Sequence, residues 1–143
     1  MLFKRLNREG AENVFRTVYN VEGATMTTGR AASLINTSTD GVNAVIANAA
    51  GDYVGFIGFA TKDIANNDYG LVQVNGLVNS ILLSNAGTSI TVTANDCLIP
   101  APAGAYSAAA PTYANAGFIN VHALDTATVS AVAYVRGLII NMG

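Results

Sequence analysis

The sequence has few charged side chains. Seven basic and nine acidic residues among 143 make up 11% of the chain, against about 25% in an ordinary soluble domain. The net charge of -2 gives no overall field that would attract nucleic acid or an anionic membrane. Because a monomer with so few charges is poorly soluble, we expect other subunits to cover much of its surface.

The chain is also short of the residues from which chemical sites are built. It has one cysteine, Cys97, one histidine, His122, and no tryptophan. A single cysteine excludes an intrachain disulfide framework and a multi-cysteine zinc site, and a single histidine cannot form a histidine cluster around a metal. We therefore predict no catalytic residues, no cofactor and no metal.

Carboxylates are the remaining candidates for chemistry. Most aspartates stand beside Gly or Asn, in "TDG", "GDY", "NND" and "AND", where Asp caps turns through its own backbone. Asp63 and Asp68 lie five positions apart and leave one alternative open. In that alternative, a small β-barrel enzyme or ligand-binding domain uses Asp63, Asp68 or His122.

No apolar run reaches the roughly 20 residues that a membrane-spanning helix needs. The start, "MLFKRLNREG", has no apolar core of the kind that a secretory signal requires. We expect a protein that is neither secreted nor bound to a membrane.

Charge is concentrated at the start of the chain. Seven of the sixteen charged residues fall within the first 22 positions. Residues 1–13 are predicted to be an N-terminal arm that contacts a neighbour, and residues 14–143 are predicted to be one β domain.

From residue 14 onward the pattern favours strands, rich in β-branched and aromatic residues and separated by turn signals. In "YGLVQVNG" (69–76), Val72 and Val74 alternate with Leu71, Gln73 and Asn75. Gly76 is predicted to be a tight link to a following strand, and Gly137 to be a bulge or bend. The predicted strands are 14–21, 42–48, 52–60, 69–76, 77–84, 88–96, 117–124 and 128–142.

Two long segments are predicted to be loops. The first covers residues 25–41, in which "RAASLI" has the composition of one helical turn. The second covers residues 100–117 and holds all three prolines, which argues against a central strand. Seven to nine short strands with regular turns predict an all-β fold, an antiparallel sandwich or barrel, jelly-roll-like, with an N-terminal arm.

The segment "DIANNDYGLVQVNGLVNSILL…SITVTANDCLIP" resembles the β-module of small head-decoration (cement) proteins of tailed bacteriophages. The resemblance rests on a polar turn, an aromatic residue and the pattern G-x-V-x-V-x-G, here Gly70, Val72, Val74 and Gly76. It implies a non-enzymatic virion protein that is made in the host cytoplasm, sits on the capsid surface and stabilises contacts between coat subunits, often as a trimer.

The partners implied are therefore further copies of the chain and the major capsid protein, with no nucleic acid and no membrane. An alternative is a tail or head-fibre module that binds the host surface, with the 100–117 loop at its tip. The residues predicted to contact the capsid or another subunit are apolar and basic residues of the arm and exposed tyrosines: Leu2, Phe3, Arg5, Arg8, Tyr69, Tyr106 and Tyr113.

Overall fold

The fold was obtained as a computed structural model, which describes residues 12–35, 41–47, 55–84, 89–101, 105–109, 119–130 and 132–141. These ranges contain strands and turns and no helix, so the all-β prediction is confirmed. The strands are β1 (Val14–Asn20), β2 (Ala31–Leu34), β3 (Asn43–Ile46), β4 (Phe56–Ala60), β5 (Tyr69–Ser84), β6 (Ile90–Val92), β7 (Cys97–Ala101), β8 (Ala105–Ala109), β9 (Ile119–Ala123), β10 (Ala127–Val129) and β11 (Val132–Asn141).

Five strands close into a barrel in the order β1-β3-β2-β4-β5, because β5 pairs back onto β1. All of its pairings are antiparallel except β1 with β3. Of the two architectures that the sequence left open, the barrel is the one found. Its core includes Val18 on β1 and Val72 on β5, both fully buried.

A second ring is built on the other half of β5. It runs β5-β11-β9-β7-β8 and returns to β5 through one parallel pairing, Leu83 with Tyr106. A separate two-stranded sheet, β6 with β10, contributes the buried residues Val92 and Val129 to the core of this ring. One long strand is thus shared by two closed arrangements.

The continuity of β5 corrects one prediction. Residues 69–76 and 77–84 are not two strands joined at Gly76 but one strand of 16 residues. Gly76 has a φ of +94°, a backbone conformation that glycine adopts without steric cost. The strand therefore changes direction at Gly76 without ending, and it leaves one ring and enters the other there.

Two segments predicted as loops contain strands. "RAASLI" does not form a helical turn, because residues 31–34 form β2, where they pair with β3 and β4. The 100–117 segment contributes Pro100 to β7 and all of β8. Proline fits there because β7 pairs with β9 only at Cys97, so on that side Pro100 needs to donate no ladder hydrogen bond.

At the C-terminal end, the predicted strand 128–142 is divided into β10 and β11. The predicted irregularity at Gly137 is confirmed, since the pairing of β11 with β5 shifts register between Val135 and Gly137. The arm boundary at residue 13 stays a prediction, because residues 1–11 lie outside the described ranges.

Candidate interaction surface

An apolar strip runs along the outer face of β1 and β5, where the two strands pair in the barrel. Thr17 lies opposite Leu71, and Tyr19 lies opposite Tyr69. Since side chains alternate along a strand, these residues point outward, while their neighbours Val18 and Val72 lie in the barrel core. We call the outward residues Phe15, Thr17, Tyr19, Tyr69 and Leu71 the β1–β5 face.

Several large apolar side chains of the β1–β5 face are exposed to solvent. Tyr69 is 63% exposed, and Leu71 and Phe15 are each 50% exposed. The rings of Tyr19 and Tyr69 contact each other with centroids 4.8 Å apart, and the Tyr69 amide donates to Asp68 Oδ1 at 2.8 Å. The two tyrosine rings therefore pack against each other on the outer surface of the barrel.

A cleft of about 240 Å³ opens at one end of this face. Phe15 belongs to both, and Gln73, which pairs with Phe15 across the strands, lines the cleft wall. The rest of the lining combines apolar and polar side chains: Asn13, Thr28, Phe59, Ala60, Thr61, Leu77, Val78, Asn79 and Ser80.

Gln73 organises the bend of β5 beside the cleft. It is only 6% exposed, and its Nε2 donates to Asn13 Oδ1 at 3.1 Å and to the Leu77 carbonyl at 2.8 Å. Asn13 Oδ1 also accepts the Leu77 amide at 3.0 Å. The last residue of the predicted arm is thereby tied to both halves of β5.

The predicted contact residues are placed unevenly. Tyr69 is in the β1–β5 face, and the backbone of Tyr106 lies in β8, paired with Pro100. The remaining five fall outside the described ranges, namely Leu2, Phe3, Arg5, Arg8 and Tyr113. The sequence pattern placed Leu71 with Gln73 and Asn75 on one face of the strand, but it did not identify Leu71 or Phe15 as contacts. Nothing in the sequence shows that residue 15 pairs with residue 73.

The structure does not bring Asp63, Asp68 and His122 together in one site. Asp63 Oδ1 accepts the amide and the hydroxyl of Thr28 at 2.7 and 2.9 Å, and these bonds lower the pKa of the carboxyl. Asp68 accepts a hydrogen bond from the Tyr69 amide. His122 lies in the second ring, with its Nδ1 atom 3.4 Å from the Asn95 carbonyl oxygen. The cleft is lined by none of the three.

The turn interpretation of these carboxylates is supported by the backbone around them. Asn67 and Asn95 both have positive φ, 59° and 77°, which asparagine tolerates in tight turns. Asn66 Oδ1 accepts the amide of Gly23 at 2.8 Å. The polar residues of "NND" therefore fix turns at the end of the barrel.

Cys97 has a neighbour that the sequence did not reveal, since His122 lies directly opposite it across β7 and β9. A cysteine nucleophile needs an accessible thiolate. Burial raises the pKa of the Cys97 thiol, and a hydrogen bond with the Val121 backbone offsets only part of this rise. The pair therefore has the geometry of cross-strand neighbours and lacks the electrostatics of a reactive dyad.

Within the described ranges, no group of three or more His, Cys, Asp or Glu side chains could hold a metal ion. In the same ranges, no helix has the length and apolar character needed to cross a bilayer. The feature left as a candidate site is the β1–β5 face with its cleft.

One solved structure has a fold similar to that of nearly the whole chain. The chain is similar to the N base of the head fiber protein gp8.5 of bacteriophage phi29, with a TM-score of 0.55, over 91% of this chain and 96% of that one. The fold is shared. The sequences are 16% identical, so the likeness concerns architecture. No protein-family model matches the chain, and no curated protein sequence matches it.

Proposed function

We propose that the protein is a non-enzymatic structural component of a bacteriophage virion, a decoration (cement) protein that binds the assembled head. The observation that carries this proposal is the likeness to a phage head fiber base over nearly the full length of both chains. The resemblance of residues 69–99 to decoration-protein modules points to the same place in the virion.

The surface of the molecule supports a role in assembly. Charged residues make up 11% of the chain, and tyrosine, leucine and phenylalanine side chains stand exposed on the β1–β5 face. Exposed apolar surface of this kind marks protein contacts. In the proposed role the protein is a homotrimer that binds the major capsid protein on the outer surface of the head, after synthesis in the host cytoplasm.

The test is electron cryomicroscopy of the purified protein mixed with bare capsids of the virus that encodes it. We expect ordered density at regular positions on the shell, and a capsid that withstands more heat or osmotic shock with the protein than without it. Capsids without ordered density at saturating protein would rule out the decoration role.

A second candidate is a head-fibre or tail module that binds the host surface. It is favoured by one specific observation, since the structural neighbour is the base of a head fiber. Glycan-array binding that is lost in Tyr106→Ala would support this candidate. Binding to capsids together with no binding to glycans would favour the decoration role instead.

A further inference from the structure

The β1–β5 face and the cleft form one continuous surface, because Phe15 belongs to both. Along β5 the face extends from Tyr69 to the level of Gln73, four residue steps of about 3.4 Å, or roughly 14 Å. Apart from Thr17, its exposed side chains are the large apolar and aromatic residues Phe15, Tyr69 and Leu71, and a carboxylate residue stands at each end. Glu12 precedes β1 beside the cleft, and Asp68 precedes Tyr69 at the far end.

The first eleven residues of the chain carry a net positive charge, and the rest of the chain carries a net negative charge. Residues 1–11 contain Lys4, Arg5, Arg8 and Glu9, a net charge of 3 − 1 = +2. The whole chain carries -2, so residues 12–143 carry −2 − 2 = −4. The first eleven residues also include Leu2, Phe3 and Leu6. This segment therefore combines apolar side chains, which suit the apolar face, with basic side chains, which suit the carboxylates at its two ends.

The position where this segment joins the fold is fixed. Asn13 Oδ1 accepts the Leu77 amide and the Gln73 side-chain amide, so the chain enters the barrel at the cleft. From Asn13 the face extends downstream along β1, whereas residues 1–11 lie upstream. A chain must reverse its direction to cover its own face, but the same segment of another copy needs no reversal.

We propose that the β1–β5 face and the cleft bind residues 1–11 of a second copy of this chain. The apolar side chains Leu2, Phe3 and Leu6 cover Phe15, Leu71 and Tyr69, and the basic residues lie toward Asp68 and Glu12. Eleven residues reach at most about 40 Å, well beyond the roughly 14 Å of the face. The segment is therefore long enough to bridge to a neighbour and still cover the face.

The test uses three full-length variants and light scattering of each after size-exclusion chromatography. One variant damages the segment (Phe3→Asp with Arg5→Glu), one damages the face (Leu71→Glu), and one is a matched control on the second ring (Tyr134→Glu). Tyr134 is 57% exposed and Leu71 is 50% exposed, so both positions tolerate a polar side chain. Near-ultraviolet circular dichroism checks that each variant is folded.

We expect the natural chain and the control to be oligomers, and the segment and face variants each to be monomers of 14.7 kDa. Mixing the segment variant with the face variant should restore a species of two chains, because one supplies an intact segment and the other an intact face. Docking within a single chain cannot produce this complementation.

Three results would overturn the proposal: a natural chain that is monomeric at every concentration, an unchanged mass in the segment or face variant, and a failure of the mixture to form the two-chain species. A control that also dissociates would overturn it as well, since apolar exposure in general would then hold the oligomer. The experiment contains no capsid, so its outcome is independent of the capsid-binding test.

Discussion

Asn20 is the polar side chain that holds the end of the barrel together. It is fully buried, and its Nδ2 donates to the carbonyls of Ala24 at 2.8 Å and Ile64 at 2.9 Å. Its Oδ1 accepts the Glu22 amide at 3.0 Å. One side chain at the end of β1 thus joins the segment after β1 to the turn before β5.

Replacing Asn20 with alanine should be strongly destabilising, because it removes the buried side chain that bonds the Ala24 carbonyl and the Glu22 amide. We expect the free energy of unfolding to fall by about 2–4 kcal/mol, measured by urea denaturation. Asn66→Ala is the control, since Asn66 makes a hydrogen bond at an exposed position and its loss should cost much less. Equal losses in the two variants would contradict this role of Asn20.

The ion pair between Asp125 and Arg136 gives the fold a defined response to acid. Hydrogen bonds from the Arg136 side chain and backbone, with Nη2 2.6 Å from Oδ1, lower the pKa of Asp125 to about 2. The unfolded carboxyl has a pKa of about 3.9. Since the folded pKa is the lower one, this contribution to stability is present above about pH 4 and is lost as the pH falls toward 2.

Asp125→Asn should therefore reduce the pH dependence of the melting temperature between pH 4 and pH 2. Because both side chains are exposed, the effect at neutral pH should be small. Arg136→Gln should have a smaller effect of the same sign, because the backbone amide of residue 136 still donates to Asp125, and the double variant should add little to Asp125→Asn. Additive losses in the double variant would show that the two residues act separately.

At the scale of elements, β5 is the strand on which the architecture depends. A Cβ atom at Gly76 would lie 2.3 Å from the Glu12 carbonyl oxygen, and the backbone there has a positive φ. We expect Gly76→Ala to lower the free energy of unfolding by on the order of 2–4 kcal/mol. The measurement is chemical denaturation, with Ala94→Gly as a control for a change in glycine content at a half-buried turn position. An unchanged free energy of unfolding in Gly76→Ala would contradict the requirement for glycine at this bend.

The sequence predicted most of the strands because their signal is local. Alternation and β-branched residues locate β1 and the barrel half of β5, and Gly137 marks a real shift in register. The errors come from information that is not local. "AASL" becomes β2 because two neighbouring strands flank it, and a single sequence does not reveal its neighbours.

The same limit applies to the candidate site. The strand pattern put Leu71 and Gln73 on the same face of their strand, but the pairing that brings Phe15 beside Gln73 is a property of the closed barrel. Likewise, the cross-strand pairing of Cys97 with His122 joins residues 25 positions apart. The residues of a surface assembled by pairing become visible only once the pairing is known.

At the scale of the whole molecule, the two rings share β5, and the side chains of β2 and β4 also contribute to both cores. In β2 and β4, adjacent side chains lie in different cores. Ala32 and Ile57 lie in the barrel core, while Ala31 and Phe59 lie in the core of the second ring. The strands β2 and β4 thus line the barrel core on one face and the core of the second ring on the other. Neither core is complete without the other.

We therefore expect the described fold to unfold in a single transition. Ile64→Ala in the barrel core and Ile81→Ala in the second core, both buried, should each lower the stability of that same transition by about 2–5 kcal/mol. Fluorescence and circular dichroism, followed together during denaturation, test this. Two separate transitions, each sensitive to one variant, would contradict the shared core.

The bend of β5 also brings the two ends of the described fold together. Val14, near the start, lies opposite Asn75, and Ile139, near the finish, lies opposite Gly76. A short linker from residue 141 to residue 12 should therefore allow a circular permutant with new termini in a distant turn. For display, cargo fused directly to residue 12 or to residue 141 would emerge from the same spot, so the choice of end would change its polarity but hardly its position.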